Sequence, residues 1–179
     1  MSDTAVLVID MMNTYQHPDA EKLTPNVAEI IGPLAGLVRQ ARSRDDVDLI
    51  YVNDNYGDFT TGASGIIRSA LEGERPDLVK PIVPDPGTRF LEKVRHSAFY
   101  STALAYLLGQ LDVRRVILTG QVTEQCILYT ALDAYVRQFE IVVPPDGVAH
   151  IDPQLGDAAL KMMEHNMKAQ TKAAADCLP

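Results

Sequence analysis

The chain has 179 residues, of which 46% are hydrophobic, so it has enough apolar material for one sizeable α/β domain and is short for two. A formal net charge of -8 argues against nucleic acid or an anionic membrane surface as the main partner. No apolar run approaches the roughly 20 residues of a membrane span. Two cysteines do not make a disulfide framework, and the N-terminal run TAVLVID lacks the basic flank of a signal peptide. We therefore expect a cytoplasmic domain of enzyme size.

Apolar runs of strand type alternate with longer helical patterns along most of the chain. In chain order, we predict strand 4–10, helix 26–44, strand 48–53, helix 64–72, strand 89–93, helix 101–110, strand 115–119, helix 123–137, strand 140–143 and helix 153–170. The first helix is expected to begin behind Thr24 and Pro25, because proline is favoured in a first helical turn. The segment 57–86 is rich in Gly, Thr and Pro, and its path does not follow from the pattern.

This alternation is typical of a parallel sheet covered by helices on both faces. We predict an α/β fold of three layers, with a doubly wound, Rossmann-like and mostly parallel sheet in a single domain. That domain is expected to span residues 1–170, and the C-terminal tail 171–179 is Ala-rich and expected to fray.

Polar side chains follow several of the predicted strands, at the edge of the sheet where ligands bind in folds of this kind. The first strand ends at Asp10, the second at Asp54 and the third at Lys93, while the fourth leads through Gly120 to Cys126. An acid, an amine and a thiol from distant segments would therefore meet at one edge.

Each of these residues also has a simpler interpretation. Cys126 lies at or near a helix start, where the dipole lowers a thiol pKa and free N–H groups can bind an oxyanion, but free cysteine is also a common buried residue. Asp10 could be a general base or only a cap. Lys93 stands in a run of mixed charge, which is typical of a solvated surface.

Other signals are weaker. Tyr15, Tyr56, Phe59 and Phe99 follow strand ends and, with Asp54, are predicted to line a substrate pocket. The histidines are expected at the surface or in hydrogen bonds, because their spacing is not that of metal ligands; they are His17, His96, His150 and His165. No P-loop and no G-x-G-x-x-G follows the first strand, so we expect no nucleotide cofactor. The histidine spacing likewise leads us to expect no metal.

Four motifs, in order, resemble those of the isochorismatase-like cysteine hydrolases, a superfamily that includes nicotinamidases, N-carbamoylsarcosine amidohydrolases, ureidoacrylate amidohydrolases and isochorismatases. They are DMMNTY at 10–15, VNDNYG at 52–57, KVRHSAF at 93–99, and GQVTEQCI at 120–127 with TALDA at 130–134. The resemblance covers residues 4–166, nearly the whole chain.

The resemblance implies a catalytic set of Asp10, Lys93 and Cys126. It also implies a cis peptide between Gln121 and Val122, with the N–H groups of Val122 and Cys126 forming an oxyanion hole. A small-molecule substrate and a homo-oligomer, a dimer or larger, are expected on the same basis.

The chain departs from the family pattern in two places. Met12 replaces a frequent glutamine, which would remove a hydrogen bond from the pocket. Metal-binding members place histidines near the second motif, whereas Asp54 and Tyr56 stand here without one, which argues against a metal and against a nicotinamidase.

We interpret the chain as a cysteine-dependent hydrolase that cleaves the C–N bond of a small amide, carbamoyl or ureido compound through a thioester. One alternative is vinyl-ether hydrolysis of isochorismate-like compounds, with Asp10 as the acid and Cys126 dispensable. Another is a catalytically silent binding module of the same fold. Specificity is expected to depend on the segment 57–86.

Overall fold

Buried apolar runs form the strands of one parallel sheet in the computed structural model, which describes residues 3–178. The strands are β1 (Thr4–Ile9), β2 (Val47–Asp54), β3 (Arg89–Lys93), β4 (Arg115–Gln121), β5 (Glu140–Val143), β6 (Val148–Ala149) and β7 (Gln170–Thr171). The helices are α1 (Ala20–Arg42), α2 (Gly62–Leu71), α3 (Pro76–Val79), α4 (Leu104–Gln110), α5 (Leu128–Val136) and α6 (Pro153–Met167). None of these helices is long and apolar enough to cross a membrane.

The sheet has the strand order β3-β2-β1-β4-β5-β7, with β6 paired to the end of β4, and every pairing is parallel. The order runs outward from β1 in both directions, so the predicted doubly wound α/β fold is confirmed. Alternate side chains of β1 enter two separate cores: Val6 and Val8 pack with α1, whereas Leu7 and Ile9 pack with α4, α5 and α6.

The first helix begins earlier than predicted. It runs from Ala20 to Arg42 and contains both Pro25 and Pro33, so the predicted start at residue 26 is wrong. Leu23 is buried one turn before Pro25 and extends the apolar face of the helix towards its N-terminus. Burial of that continuous face compensates for the backbone hydrogen bonds that the prolines cannot donate.

The C-terminal tail is packed, and the expectation that it frays is wrong. A turn of 3₁₀-helix at Ala174–Asp176 lies against α1, and Ala174, Cys177 and Leu178 are buried. The Asp146 carboxylate also accepts a hydrogen bond from the backbone N–H of Ala174, at 2.8 Å. Three apolar side chains and this polar contact fix the segment that composition alone had marked as loose.

Candidate active site

Three neighbouring strands end side by side at one edge of the sheet. In the parallel register, Ile9 at the end of β1 pairs with Val52 of β2, and Asp54 at the end of β2 pairs with Lys93 of β3. Asp10 follows β1 directly, and its Oδ1 accepts a hydrogen bond of 2.7 Å from the backbone N–H of Asp54. The sheet ladder therefore sets the relative positions of the acid and the amine.

The amine of Lys93 is the centre of the site. Its side chain is 1% exposed, and its Nζ lies 2.9 Å from Asp10 Oδ2 and 3.3 Å from Asp54 Oδ2. The same Nζ lies 3.7 Å from Cys126 Sγ. The structure thus brings Asp10, Lys93 and Cys126 together, and it adds Asp54 as a second carboxylate on the lysine.

Burial and charge act differently on the two ionic partners. Burial raises the pKa of Asp10 above its usual 3.8, although the Lys93 charge and hydrogen bonds from Cys126, Lys93 and Asp54 partly offset this. Burial alone would lower the pKa of Lys93, but the charges of Asp10, Cys126 and Asp54 outweigh it and raise the pKa above 10.5. Lys93 is therefore a permanent cation at neutral pH.

The thiol of Cys126 differs from the prediction. Burial, followed by the negative charge of Asp10, raises its pKa above the usual 9, and the Lys93 charge does not compensate. The predicted lowering by a helix N-terminus is wrong, because Cys126 lies within a π-helical turn, Thr123–Ile127, and in a buried position. Burial and the Asp10 charge thus favour the protonated thiol, which is hydrogen-bonded to the Asp10 carboxylate.

The segment before Cys126 has an unusual backbone. The peptide between Gln121 and Val122 is cis, as the resemblance implied. The Gln121 side chain donates a 2.7 Å hydrogen bond to the backbone carbonyl of Asp10, and the Val122 N–H is directed at the Cys126 sulfur. This backbone N–H therefore lies beside the thiol of Cys126.

A cavity of about 280 Å³ opens beside these groups. It is lined by Asp10, Asn13, His17, Asp19, Leu23, Asp54, Tyr56, Gln121, Val122, Gln125, Cys126 and Ile151. A larger depression of about 460 Å³ lies between the C-terminal end of α5 and the β5 edge. We assign the site to the smaller cavity, because it alone of the two contains the acid and the thiol.

The structure places the residues predicted for the substrate pocket in different surroundings. Asp54 and Tyr56 line the cavity. Tyr56 is 55% exposed as a whole, but its hydroxyl points inward and donates to the Met12 carbonyl at 3.1 Å. Burial of that hydroxyl and the nearby Asp10 charge raise its pKa well above 10. Tyr15 lies behind the lining, with its hydroxyl 3.5 Å from Gln121 Oε1.

Phe59 and Phe99 do not line the cavity. Phe59 is 77% exposed on the loop after β2. Phe99 stacks on Phe139 with ring centroids 6.0 Å apart, and the Arg137 guanidinium lies 4.9 Å above its ring. Both aromatics follow strand ends in the sequence, but the chain turns away from the cavity before it reaches them.

Met12, which replaces the frequent glutamine, is fully buried. Its backbone rather than its side chain serves the site: the Met12 N–H donates to Asn53 Oδ1 at 2.8 Å, and Asn53 Nδ2 donates to the Met12 carbonyl at 3.1 Å. This pair of hydrogen bonds fixes the chain just after Asp10.

Several lining residues could not be found from periodicity, because they lie in loops. His17 and Asp19 belong to the connection between β1 and α1, and Ile151 precedes α6. His96 is exposed, as expected, but its contact with the thiol was not predicted: its Nδ1 lies 3.8 Å from Cys126 Sγ. Asn13 and Gln121 carried a signal, since both stand inside family motifs.

Two hydrogen bonds join the segment after Lys93 to α5. Ser97 Oγ donates to Asp133 Oδ2 at 2.5 Å, and the Ala98 N–H donates to Thr130 Oγ1 at 2.9 Å. The lysine segment and the element that follows Cys126 are therefore held against each other. Within residues 3–178, no three His, Cys, Asp or Glu side chains are grouped as metal ligands would be.

Comparison with known proteins agrees with this fold. The family model described as the Isochorismatase domain matches residues 4–175. The chain belongs to the isochorismatase family. It is 35% identical over 169 residues to the uncharacterized isochorismatase family protein YaaI of Bacillus subtilis, covering 94% of this chain and 93% of that protein.

Two further relatives of this family member are named for reactions at amide bonds. Maleamate amidohydrolase of Pseudomonas putida is 30% identical over 159 residues, covering 83% of this chain and 74% of that protein. The crystal structure of N-carbamoylsarcosine amidase from Thermoplasma acidophilum has a TM-score of 0.76 at 27% identity, covering 100% of both chains. This isochorismatase-family hydrolase therefore has amidohydrolases among its homologues.

Proposed function

We propose that this protein is a cysteine hydrolase that cleaves the C–N bond of a small amide, carbamoyl or ureido compound. The observation that carries the proposal is the position of Lys93 Nζ, 2.9 Å from the Asp10 carboxylate and 3.7 Å from the Cys126 thiol. A base, a fixed cation and a nucleophile beside a small cavity are the groups that acyl transfer needs.

In the first half of the proposed reaction, Asp10 takes the thiol proton while Cys126 Sγ attacks the carbonyl carbon. The raised pKa of the thiol means that its proton leaves during the attack and not before it. The backbone N–H groups of Val122 and Cys126 bind the oxyanion, and such a donor contributes about 3 kcal/mol to the transition state. Asp10 then gives its proton to the leaving nitrogen, the C–N bond breaks, and a thioester remains.

In the second half, a water molecule enters where the amine has left. Asp10 accepts a proton from this water, whose oxygen attacks the thioester carbon. The C–S bond breaks, the acid is released, and the proton returns from Asp10 to Cys126. Lys93 offsets the negative charge that moves between Asp10 and the sulfur in both halves.

A second candidate has one observation in its favour. Burial raises the pKa of Asp10, which keeps more of the carboxyl protonated at a given pH and so available as a proton donor. An acid of this kind suits vinyl-ether hydrolysis of isochorismate-like compounds, in which Cys126 would have no role. Full activity of Cys126→Ala on such an ether, with no amide hydrolysis by the parent protein, would select this candidate.

The test of the proposed function is the reactivity of Cys126 in Lys93→Met. Brief labelling with limiting iodoacetamide, followed by peptide mapping, should modify Cys126 ahead of Cys177. Asp10 and Lys93 lie beside the Cys126 thiol to accept its proton and offset the charge, whereas the Cys177 thiol faces only the backbone carbonyls of Lys172 and Ala173 among its described hydrogen-bond partners. Lys93→Met removes the cation, keeps the length of the side chain, and should lower both labelling and amide turnover by about 10²–10⁴-fold.

Lys161→Met is the matched control, because Lys161 is exposed on α6. It should behave like the parent protein. Equal labelling and turnover in Lys93→Met and Lys161→Met would contradict the proposal, and so would modification of Cys177 alone.

A further inference from the structure

The cavity beside Cys126 has an excess of negative charge. Asp10, Asp19 and Asp54 line it, and neither lysine nor arginine is among the lining residues. The nearest cation, Lys93, lies behind the lining and is shared between Asp10 and Asp54 at 2.9 and 3.3 Å. A ligand in the cavity therefore meets carboxylates before it meets the lysine.

An excess of negative charge remains in either protonation state of Asp10. If Asp10 is protonated, Lys93 still offsets Asp54, and Asp19 remains. Asp19 is exposed at the N-terminus of α1, and its carboxylate makes no side-chain capping hydrogen bond there. None of the ion pairs among residues 3–178 includes it.

The N-terminus of α1 offers little to an anion, although helix starts often bind one. The backbone N–H of Ala20 donates to the His17 carbonyl, and those of Lys22 and Leu23 donate to the Asp19 carbonyl, at 3.0–3.1 Å. These donors are occupied, and the Asp19 carboxylate itself balances the positive end of the helix.

The remaining polar groups of the lining suit an uncharged partner. His17 Nε2 is buried and has no hydrogen-bond partner among the described residues, and it lines the cavity with Gln125 and Asn13. A buried polar atom without a partner is costly, so a substrate N–H or C=O that meets it gains a hydrogen bond at little expense.

We propose that this site selects small amides or ureido compounds that carry no negative charge, and that a carboxylate on the substrate is excluded. The proposal rests on the proposed function, since it names the substrate class of the same cavity. The volume of about 280 Å³ lies at the lower end of the roughly 300–1,000 Å³ of ligand pockets. The substrate is therefore small as well as neutral or cationic.

Two thiol reagents of nearly equal size measure this charge preference directly. Iodoacetamide is neutral and iodoacetate is anionic, and each alkylates Cys126 with loss of iodide and of the thiol proton. The rate at Cys126 for each reagent is divided by its rate with glutathione. We expect the normalised rate of iodoacetate to be at least tenfold below that of iodoacetamide, because the carboxylates that line the cavity outnumber the single lysine behind them.

Asp19→Asn removes one of these charges. It should lower the ratio of the normalised iodoacetamide rate to the normalised iodoacetate rate about fivefold. Asp112→Asn is the matched control, because Asp112 lies in the turn before β4, at the opposite end of the strands, and has a positive φ of 56° that asparagine also tolerates. It should leave the ratio unchanged. A ratio near one in the parent protein, or an equal change in both variants, would overturn the charge assignment.

A substrate series gives the second readout. Succinamate, succinamide and β-alaninamide share an amide on a two-carbon chain and differ in the charge at the other end. Among those hydrolysed, succinamate should have the lowest kcat/KM. Preference for the anion, lost in His17→Gln, would mean that His17 acts as a cation and would refute the inference while leaving the hydrolase intact. Failure of both reagents to modify Cys126 would instead refute the proposed function.

Discussion

At the scale of single residues, the site depends on one buried amine with two carboxylates. Lys93 is among the largest fully buried side chains of the protein, and a buried lysine without partners would lose its proton. Asp10 and Asp54 prevent this and keep it charged. The lysine therefore cannot serve as a base. Among the described residues that contact Cys126 Sγ, Asp10 is the buried group that can accept its proton.

The pKa of Asp10 predicts the acid limb of the pH–rate profile. Asp10 must be ionised to accept the thiol proton, and burial raises its pKa above 3.8. Activity should therefore fall, as the pH is lowered, at a higher pH than for an exposed aspartate. No loss is expected towards alkaline pH below about 10, since the pKa of Lys93 is raised as well. Initial rates measured between pH 4 and 10 test both the acid limb and the absence of a loss towards alkaline pH.

Circular dichroism at each pH separates this titration from unfolding. An acid limb at or below pH 4 in a folded protein would contradict the raised pKa of Asp10. A limb that stays in place in Lys93→Met would contradict the coupling of the two residues, because removal of the lysine charge should move it further towards neutral pH.

At the scale of elements, the end of β4 is tightly constrained. Gly120 has φ +108°, a conformation that other residues rarely adopt, and a Cβ there would lie 2.1 Å from the Ile9 carbonyl oxygen of β1. This close approach of two backbones brings the turn with Cys126 next to Asp10. The glycine is therefore required by both the sheet and the site.

Gly120→Ala should be severely destabilising. The added methyl would force β1 and β4 apart, at a cost of at least 3 kcal/mol in the free energy of unfolding. Gly109→Ala is the matched control, because Gly109 lies in α4 with no atom within 4 Å of its Cβ position. That change should stabilise the protein by about 0.5–1 kcal/mol. Denaturant unfolding of both variants measures the contrast, and equal midpoints would contradict it.

The elements also show how far a sequence pattern can predict structure. The five longer strands, β1 to β5, were predicted within two residues, because continuous apolar runs such as β1 are buried on both faces. The two-residue strands β6 and β7 were not predicted, because so short a run has no periodicity. The start of α1 was missed, since proline is usually a boundary signal and only tertiary packing of Leu23 overrides it. The π-helical turn around Cys126 was missed too, because its apolar spacing resembles that of an α-helix.

At the scale of the whole molecule, the C-terminal segment closes the core under α1. Ala174 is fully buried, and Cys177 and Leu178 are nearly so. Ala-rich composition indicates weak packing on average, but it contains no information on which side chains meet another element. The packing of the tail therefore could not be predicted from the sequence.

Removal of residues 172–179 should destabilise the fold without changing the site. Loss of the buried apolar surface should lower the free energy of unfolding by about 2–4 kcal/mol and Tm by about 5–10 °C. Ala175→Ser alters an exposed position of the same segment and should leave Tm within about 1 °C. Calorimetry compares the two. An unchanged Tm in the truncated chain would show that the segment contributes nothing to stability.

The site divides into a predictable and an unpredictable half. Asp10, Asp54 and Lys93 follow parallel strands, and parallel strands end together, so their meeting could be predicted. The lining from the loop after β1 and from Ile151 could not, because loop paths depend on packing and not on periodicity. Segment 57–86, which we expected to set specificity, contributes none of this lining.

The homo-oligomer remains a prediction. Tyr129, Leu132 and Val136 form an exposed apolar face of α5 that such an assembly would cover.

The loop between β1 and α1 supplies a part of the cavity lining that is separate in the sequence from the reactive groups. Asn13, His17 and Asp19, a quarter of the lining, come from this one stretch of seven residues, whereas the reactive groups stand on the sheet and on the turn after β4. Exchange of this stretch for that of a relative would alter what the cavity accepts and leave the bond-breaking machinery in place. A library confined to residues 13–19 is accordingly the shortest route to a new substrate range on this scaffold.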